Sequence, residues 1–202
     1  MKNFKIYFMM IAMVASVAFL ASCGDDDAPE EENVVEVFTD VMLIFTPEGG
    51  GTPVTASAQD PDGAGAQELM VQGAINLAAN TTYTLTFEVL NALDPNDVED
   101  ITEEIAEEDN EHQFFFGFTT DAFSSPMGSG NIGAGNQNNS VNYNDMDENG
   151  CRVGLNTSWT TGDASSGTFT VQLQHQPDVK TCTTGSDTGD TDFDLTFTLN
   201  IQ

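Results

Sequence analysis

Two histidines, and one stretch of alternating acids that ends in glycine, are the residues of this chain whose types and spacing could do chemistry. His112 opens the run His-Gln-Phe-Phe-Phe-Gly-Phe, in phase with Phe114, Phe116 and Phe118. His175 closes the run Thr-Phe-Thr-Val-Gln-Leu-Gln-His, in phase with Phe169, Val171 and Leu173. Side chains of a strand alternate between its faces, so both imidazoles are expected on the core side. One begins its strand and the other ends its strand. If the two strands are antiparallel neighbours, the histidines share one end of the domain. Two imidazoles with a carboxylate from Glu104, Glu108, Glu111 or Asp178, of which Glu111 is next to His112, would make a transition-metal site. The alternative is that each imidazole satisfies backbone groups at a strand end. No His-x-His or His-Glu-x-x-His spacing decides between the two.

The acid stretch is Asp145-Met-Asp147-Glu-Asn149-Gly150. Oxygen ligands at alternate positions, with a glycine for the sharp turn, suit calcium. The stretch resembles the start of an EF-hand loop, but its twelfth position is Asn156 where that loop needs a glutamate, and strands are expected on both sides. A polar hairpin turn is the expectation, and a calcium site in a β-loop using some of these oxygens is the alternative. Asp60-Pro-Asp62-Gly and residues 187–194 are weaker versions of the same pattern. No Gly-x-Ser-x-Gly, P-loop or zincin motif occurs. Carboxylates are too numerous for any pair to point to glycoside hydrolysis. The expectation is a non-enzymatic binding module. A glycan-binding module is a further alternative, but most phenylalanines sit at core-phase positions and leave no evident stacking platform.

The 202 residues carry 33 acidic side chains against four Lys and Arg. That balance excludes nucleic acid as a partner, since phosphate contact needs a basic patch. It also opposes compaction unless cations screen or bind it.

The N-terminus says where such a module would sit. Lys2 and Lys5 precede an uncharged apolar run over residues 6–20, too short for a comfortable membrane span and suited to a signal peptide. Leu20-Ala21-Ser22-Cys23 follows and resembles the bacterial lipoprotein signal, in which cleavage before the cysteine exposes it for lipidation. Each buried acyl CH₂ adds ~0.8 kcal/mol, so two or more chains hold stably. An ordinary signal peptide with an incidental cysteine is the alternative. Residues 24–32 are acidic and would be extended by self-repulsion. An acidic cluster directly after the lipidated cysteine resembles the export signal of Bacteroidota surface lipoproteins. The expected organisation is a signal peptide over 1–22, a tether over 23–33 beginning at lipidated Cys23, and one domain over 34–202. The expected location is the outer membrane through the lipid anchor, on the cell surface, with the periplasmic face as alternative and an outer-membrane protein complex as a candidate partner. With Cys23 assigned to lipid, Cys151 and Cys182 are an even pair in an oxidising compartment. A disulfide is expected. A redox or metal pair lacks Cys-x-x-Cys spacing.

The elements that must position these residues read as strands. Residues 34–46 alternate, and 54–59, 68–72 and 74–77 are shorter. In residues 83–89, Tyr83, Leu85, Phe87 and Val89 fall on one face, with threonine and glutamate on the other. Leu77 precedes Tyr83 by six residues across a turn, a spacing similar to the tyrosine corner of immunoglobulin-like sandwiches. Residues 97–109 are the one helical candidate, with Val98, Ile101 and Ile105 as its apolar stripe and acids at its C-terminal end that oppose the dipole. His112 to Phe118, apolar on both faces, predicts a central strand. Residues 119–140 are a long Gly/Asn/Ser loop, and 141–143, 153–160, 168–174 and 192–201 complete the set. The fold class is all-β: an immunoglobulin-like or Greek-key β-sandwich of eight or nine strands with one short acidic helix.

Two segments, Asn-Leu-Ala-Ala-Asn-Thr-Thr-Tyr-Thr-Leu-Thr-Phe-Glu-Val-Leu-Asn over 76–91 and Glu-Asp-Ile-Thr-Glu-Glu-Ile-Ala-Glu-Glu-Asp-Asn-Glu-His-Gln-Phe-Phe-Phe over 99–116, carry a family resemblance. The chain resembles small lipoproteins of Bacteroidota that often bear the label "type 1 periplasmic binding fold superfamily", across about residues 23–202. That label denotes two doubly wound α/β lobes, which need more chain and more helix than this sequence holds. The resemblance therefore implies localisation and architecture, and supplies no catalytic residues.

Overall fold

Alternation builds most of this molecule. In the computed structural model, which describes residues 36–63, 68–133, 135–136 and 139–202, the strands are β1 (Asp40–Pro47), β2 (Val54–Gln59), β3 (Met70–Gln72), β4 (Ala74–Leu77), β5 (Thr82–Asn91), β6 (Glu99–Asp100), β7 (His112–Phe118), β8 (Phe123–Ser125), β9 (Asn142–Tyr143), β10 (Asn156–Thr161), β11 (Ser165–His175) and β12 (Asp190–Ile201). One helix, α1 (Ile101–Glu107), lies between β6 and β7. The expected signal peptide and tether, with Cys23, lie outside the described residues. No helix among the described residues is long and apolar enough to cross a membrane.

The fold is an all-β sandwich of two sheets. One runs β3-β2-β1-β5-β10-β8, with β6 on β5 and β9 on β10; the other runs β4-β12-β11-β7. All pairings are antiparallel except β4 with β12, which is parallel and joins residues 74–77 to 198–201. Inward residues of the two sheets meet in an aromatic core. Trp159 of β10 is fully buried and stands edge-on to Phe116, Phe118 and Phe169 at 5.3, 5.4 and 5.0 Å. Phe87 of β5 stacks on Phe114 of β7 at 4.3 Å. Outward faces are threonine-rich and pair across strands, as in Thr82 with Thr160 and Thr170 with Thr196, contacts of about 0.2–1 kcal/mol each. The Tyr83 hydroxyl accepts from the Ala78 amide at 2.9 Å, fixing the turn upstream.

Several expectations need correction. Among the described residues the first strand starts at Asp40; residues 36–39 precede it without strand structure, and residues 34–35 of the expected strand lie outside the described residues. The twelve segments exceed the eight or nine expected, because β3, β6, β8 and β9 have only two or three residues each. α1 is shorter than residues 97–109: Asp100 caps it by accepting from the Thr102 amide, and its last turn holds no basic residue to meet the dipole. Ile101 and Ile105 are buried but Val98 is exposed. The strand β7 is at the end of its sheet and not in its centre. It is buried on both faces all the same, and chain from the long loop runs along its open edge. Phe118 donates to Ser129, Asn131 donates to Phe116, and the Asn131 side chain accepts the Phe116 amide at 2.9 Å. Gly130 makes this approach possible, since its φ is +91° and a Cβ would collide with the Phe116 carbonyl.

Tyr143 fastens the same loop to β7. Its hydroxyl donates to the Phe114 carbonyl and accepts from Asn131, both at 2.8 Å. Burial pushes its phenol up to about 12 from an ordinary 10.0. A raised folded pKa contributes stability that is full below the unfolded value and lost as pH rises through the folded one. The domain is therefore expected to lose about 2–3 kcal/mol between pH 10 and 12 through this residue. Tyr143→Phe should flatten that part of the pH profile in urea titrations; an unchanged profile would rule the phenol out as its source.

Cys151 and Cys182 are joined as a disulfide, with a sequence separation of 31. Loop-closure entropy for that length gives about 3–4 kcal/mol. Replacing both cysteines with alanine is expected to lower the urea midpoint accordingly, with no effect of reductant on the variant. A loss under about 1 kcal/mol would mean that the unfolded chain is not what the bond restrains.

Candidate functional site

The strands β7 and β11 are antiparallel neighbours, and their inward residues pair in rungs: Phe118 with Phe169, Phe116 with Val171, Phe114 with Leu173, and His112 with His175. The two histidines are thus the last rung of the hydrophobic ladder, where the core reaches one end of the sandwich. Their rings stack with centroids 4.5 Å apart and planes 5° from parallel.

Carboxylates come to this rung from four parts of the chain. Glu111 directly precedes β7, and its Oε2 lies 3.5 Å from His175 Nε2. Glu108 caps the C-terminus of α1, where the turn into β7 folds it back over His112. Glu36 lies before β1, in a stretch that Phe38 pins against Phe193 of β12 at 5.7 Å; its Oε1 lies 3.5 Å from His112 Nε2. Asp192 is on β12, with Oδ2 4.0 Å from the same nitrogen. The last of these is delivered by a bulge. Leu173 faces Phe193 and Gln174 faces Thr191, so Asp192 is the extra residue between them. A regular strand would point it away from Phe193 into solvent, and the bulge turns it inward. Glu36, Glu108, His112 and His175 each offer a ligand atom, all within 4.8 Å of one another; among the described residues, this is the only such grouping of three or more His, Cys, Asp or Glu side chains.

The electrostatics of the rung are unbalanced. His112 is wholly buried, and its Nδ1 lies 3.3 Å from the Glu108 carbonyl oxygen. An imidazole that donates Nδ1–H there presents Nε2 as a lone pair to two carboxylates. His112 Nε2, Glu36 Oε2 and Asp192 Oδ2 are all buried without a hydrogen-bond partner. The 3.5 Å approach of Glu36 is a charge contact and not a well-aligned hydrogen bond. Burial drives the imidazole down, but Glu36 and then Asp192 outweigh it and hold His112 above its ordinary value. Burial, followed by the charge of Glu36, pushes Asp192 up to about 7 against the lowering effect of His112. Glu104 is raised as well, by burial and then by Glu36. Acceptors converge here with too few protons to share, which is the condition a cation relieves.

The loop over residues 145–150 has a different role. Asp145 Oδ1 accepts from the Gly154 amide and its Oδ2 from the Asn156 amide. Asp147 Oδ1 accepts from the Asn149 and Cys151 amides. Its Oδ2 stands 3.1 Å from Lys180 Nζ, with both side chains 2% exposed. Lys180 also donates to the Asp109 carbonyl. The candidate calcium ligands Asp145 and Asp147 are therefore committed to amides and an ammonium. Asp145 and Asp147 thus brace the loop from within, and the ammonium of Lys180 supplies the positive charge beside Asp147.

Glu111 was legible beside His112, and Glu108 was one of the named candidates. Asp178 and Glu104 are not in the grouping, nor is Glu111, although it lies 3.5 Å from His175. Glu36 and Asp192 have no sequence signal toward a histidine, since one arrives over a long separation and the other by a bulge. A cleft elsewhere, lined in part by Asp40, Gln59, Met70 and Gln72, has no aromatic ring in its lining, and no aromatic is among the exposed large hydrophobic side chains of the described residues. Neither place offers a sugar a stacking face.

Fold and site together define an all-β sandwich whose core ends in a histidine–carboxylate cluster. No family model, no curated protein and no solved structure matches this chain.

Proposed function

We propose that this chain is a lipid-anchored, non-enzymatic binding module of the outer-membrane surface whose ligand is a divalent transition-metal ion. The observation that carries the reading is the convergence of His112, His175, Glu36 and Glu108 within 4.8 Å around a buried imidazole nitrogen with no hydrogen-bond partner. A metal-bound histidine commonly gives its other ring N–H to a carbonyl, as the Glu108 carbonyl allows at 3.3 Å. Imidazole with carboxylate suits zinc, copper, iron or nickel more than calcium, which prefers oxygen alone. Anchoring through Cys23 and the acidic tether of residues 24–32 supply the location in this reading. The site would serve metal capture at the cell boundary, alone or beside an outer-membrane partner.

The test is direct. The full chain in detergent is stripped with chelator, dialysed against zinc, copper or iron, and assayed by elemental analysis. The expected result is stoichiometric retention of at least one of these metals by the wild type, and none by His112→Ala/His175→Ala. Retention of the same amount by the double variant, or none by the folded wild type, would remove the metal reading and leave an accessory module without a cation.

A further inference from the structure

We propose that the cluster is built for two divalent ions: an inner ion between His112, Glu36 and Asp192, and an outer ion between His175, Glu108 and Glu111. The inference rests on the metal-binding reading above and fixes its stoichiometry and its ligands.

The stacking of the rings is the first reason. An imidazole nitrogen offers its lone pair in the plane of the ring. Planes 5° from parallel with centroids 4.5 Å apart hold two lone pairs that run side by side. They cannot meet at one ion about 2.0–2.1 Å from each nitrogen. A single ion bound by both rings would require one of them to turn; His112 is wholly buried at the end of the core ladder, so the turn would fall to His175, whose side chain is 18% exposed, and would take it off its contact with Glu111.

The second reason is that each ring already has its own carboxylate. His112 Nε2 to Glu36 Oε1 and His175 Nε2 to Glu111 Oε2 are both 3.5 Å. Two ligands of one tetrahedral ion, each at about 2.0–2.1 Å, stand about 3.4 Å apart. Both pairs are therefore set at chelating span without rearrangement. Asp192 Oδ2, 4.0 Å from His112 Nε2, is the third donor of the inner set. Glu108 offers a ligand atom within 4.8 Å of His112, His175 and Glu36 alike, so it stands between the two halves, which are neighbours, and can serve the outer ion while bridging to the inner one.

Unsatisfied atoms mark the inner half. Glu36 Oε2, His112 Nε2 and Asp192 Oδ2 are buried with no hydrogen-bond partner, and a bulge in β12 turns Asp192 toward them. A bulge that leaves a buried carboxylate beside a second one is destabilising unless something positive sits between them. Formal charge gives the same count. Four carboxylates around two neutral imidazoles are balanced by two divalent ions and only half balanced by one. Two-metal centres hold their ions roughly 3.5–4 Å apart, somewhat closer than the 4.5 Å between the ring centroids.

Zinc titration of the chelator-stripped full chain, followed by native mass spectrometry, tests this. Two zinc ions per chain are expected for the wild type, and one each for Asp192→Asn and His175→Ala, with far-ultraviolet circular dichroism confirming that the variants fold. A second readout needs no variant: cobalt(II) added to two equivalents should give a magnetically coupled pair, with the uncoupled spectrum of one equivalent lost. Saturation at one ion per chain overturns the two-ion arrangement while the metal-binding function stands. So does loss of the same single ion in both variants. No ion in the folded wild type overturns the function itself, so the two failures are distinct.

Discussion

Zinc at a hundredfold excess over its dissociation constant is expected to stabilise the folded domain by about 2.7 kcal/mol for each ion bound, because an ion held only by the native state shifts unfolding by mass action. For a domain of this size that is a rise in Tm of roughly 5–11 °C per ion. Calcium at the same concentration should give a far smaller rise, since the loop with the clearest calcium-like spacing has its carboxylates on amides and on Lys180. His112→Ala should remove the inner part of the zinc shift, because it deletes the nitrogen nearest both Glu36 and Asp192. Differential scanning calorimetry with metal-free and metal-saturated protein measures this. A zinc shift unchanged in His112→Ala would mean that the ion sits elsewhere.

Lys180→Met is expected to be the most destabilising single change outside the core. It leaves the Asp147 carboxylate, 2% exposed, without its ammonium, and breaking a buried pair from one side costs about 3–5 kcal/mol. Burial, the largest influence, lowers the lysine's own pKa, while Asp147 resists that lowering. The Asp147 carboxyl is pushed up by burial but held below its ordinary value by the Cys151 amide and Lys180 together. The pair costs desolvation and still closes three segments onto one another: the turn after α1 through Asp109, the loop of Asp147, and the β11–β12 connection of Lys180. The double change Lys180→Met/Asp147→Asn should recover much of the loss, because asparagine keeps the oxygen that accepts from Asn149 and Cys151 while removing the stranded charge. Urea midpoints of the two single variants and the double variant form the cycle. A double variant no better than Lys180→Met would show that packing of the lysine stem, and not charge, was the loss.

The strand pattern was legible because burial on one face forces a period of two. Residues 54–59, 74–77 and 112–118 were placed to the residue, and β5, β11 and β12 were shifted at their ends only. The phase of His112 with Phe114 and of His175 with Leu173 put both imidazoles on the core side, and the rungs of β7 and β11 do so in space. Sequence patterns fail where the deciding partner is distant. Asp192 is in an outward phase beside Phe193, and only a one-residue shift against β11 brings it to His112. The amide and lysine partners of Asp147 likewise have no spacing of their own to read. The strand β7 looked central because two buried faces are the mark of a middle strand. Here a loop imitates a neighbouring strand along its open edge through Gly130 and Asn131.

The parallel pairing of β4 with β12 sets an order of events. A chain that emerges N-terminus first, from a ribosome or through a translocation pore, presents residues 74–77 long before residues 198–201 exist beside them. Residues 77 and 79 also bond the backbone of Gln202. The histidine rung waits in the same way, since β7 needs β11 and Asp192 needs β12. Long-range closure of this kind is slow and comes late. The sheet that carries the site cannot be completed from a partial chain, so the histidine–carboxylate cluster is assembled only when nearly all of the polypeptide has emerged.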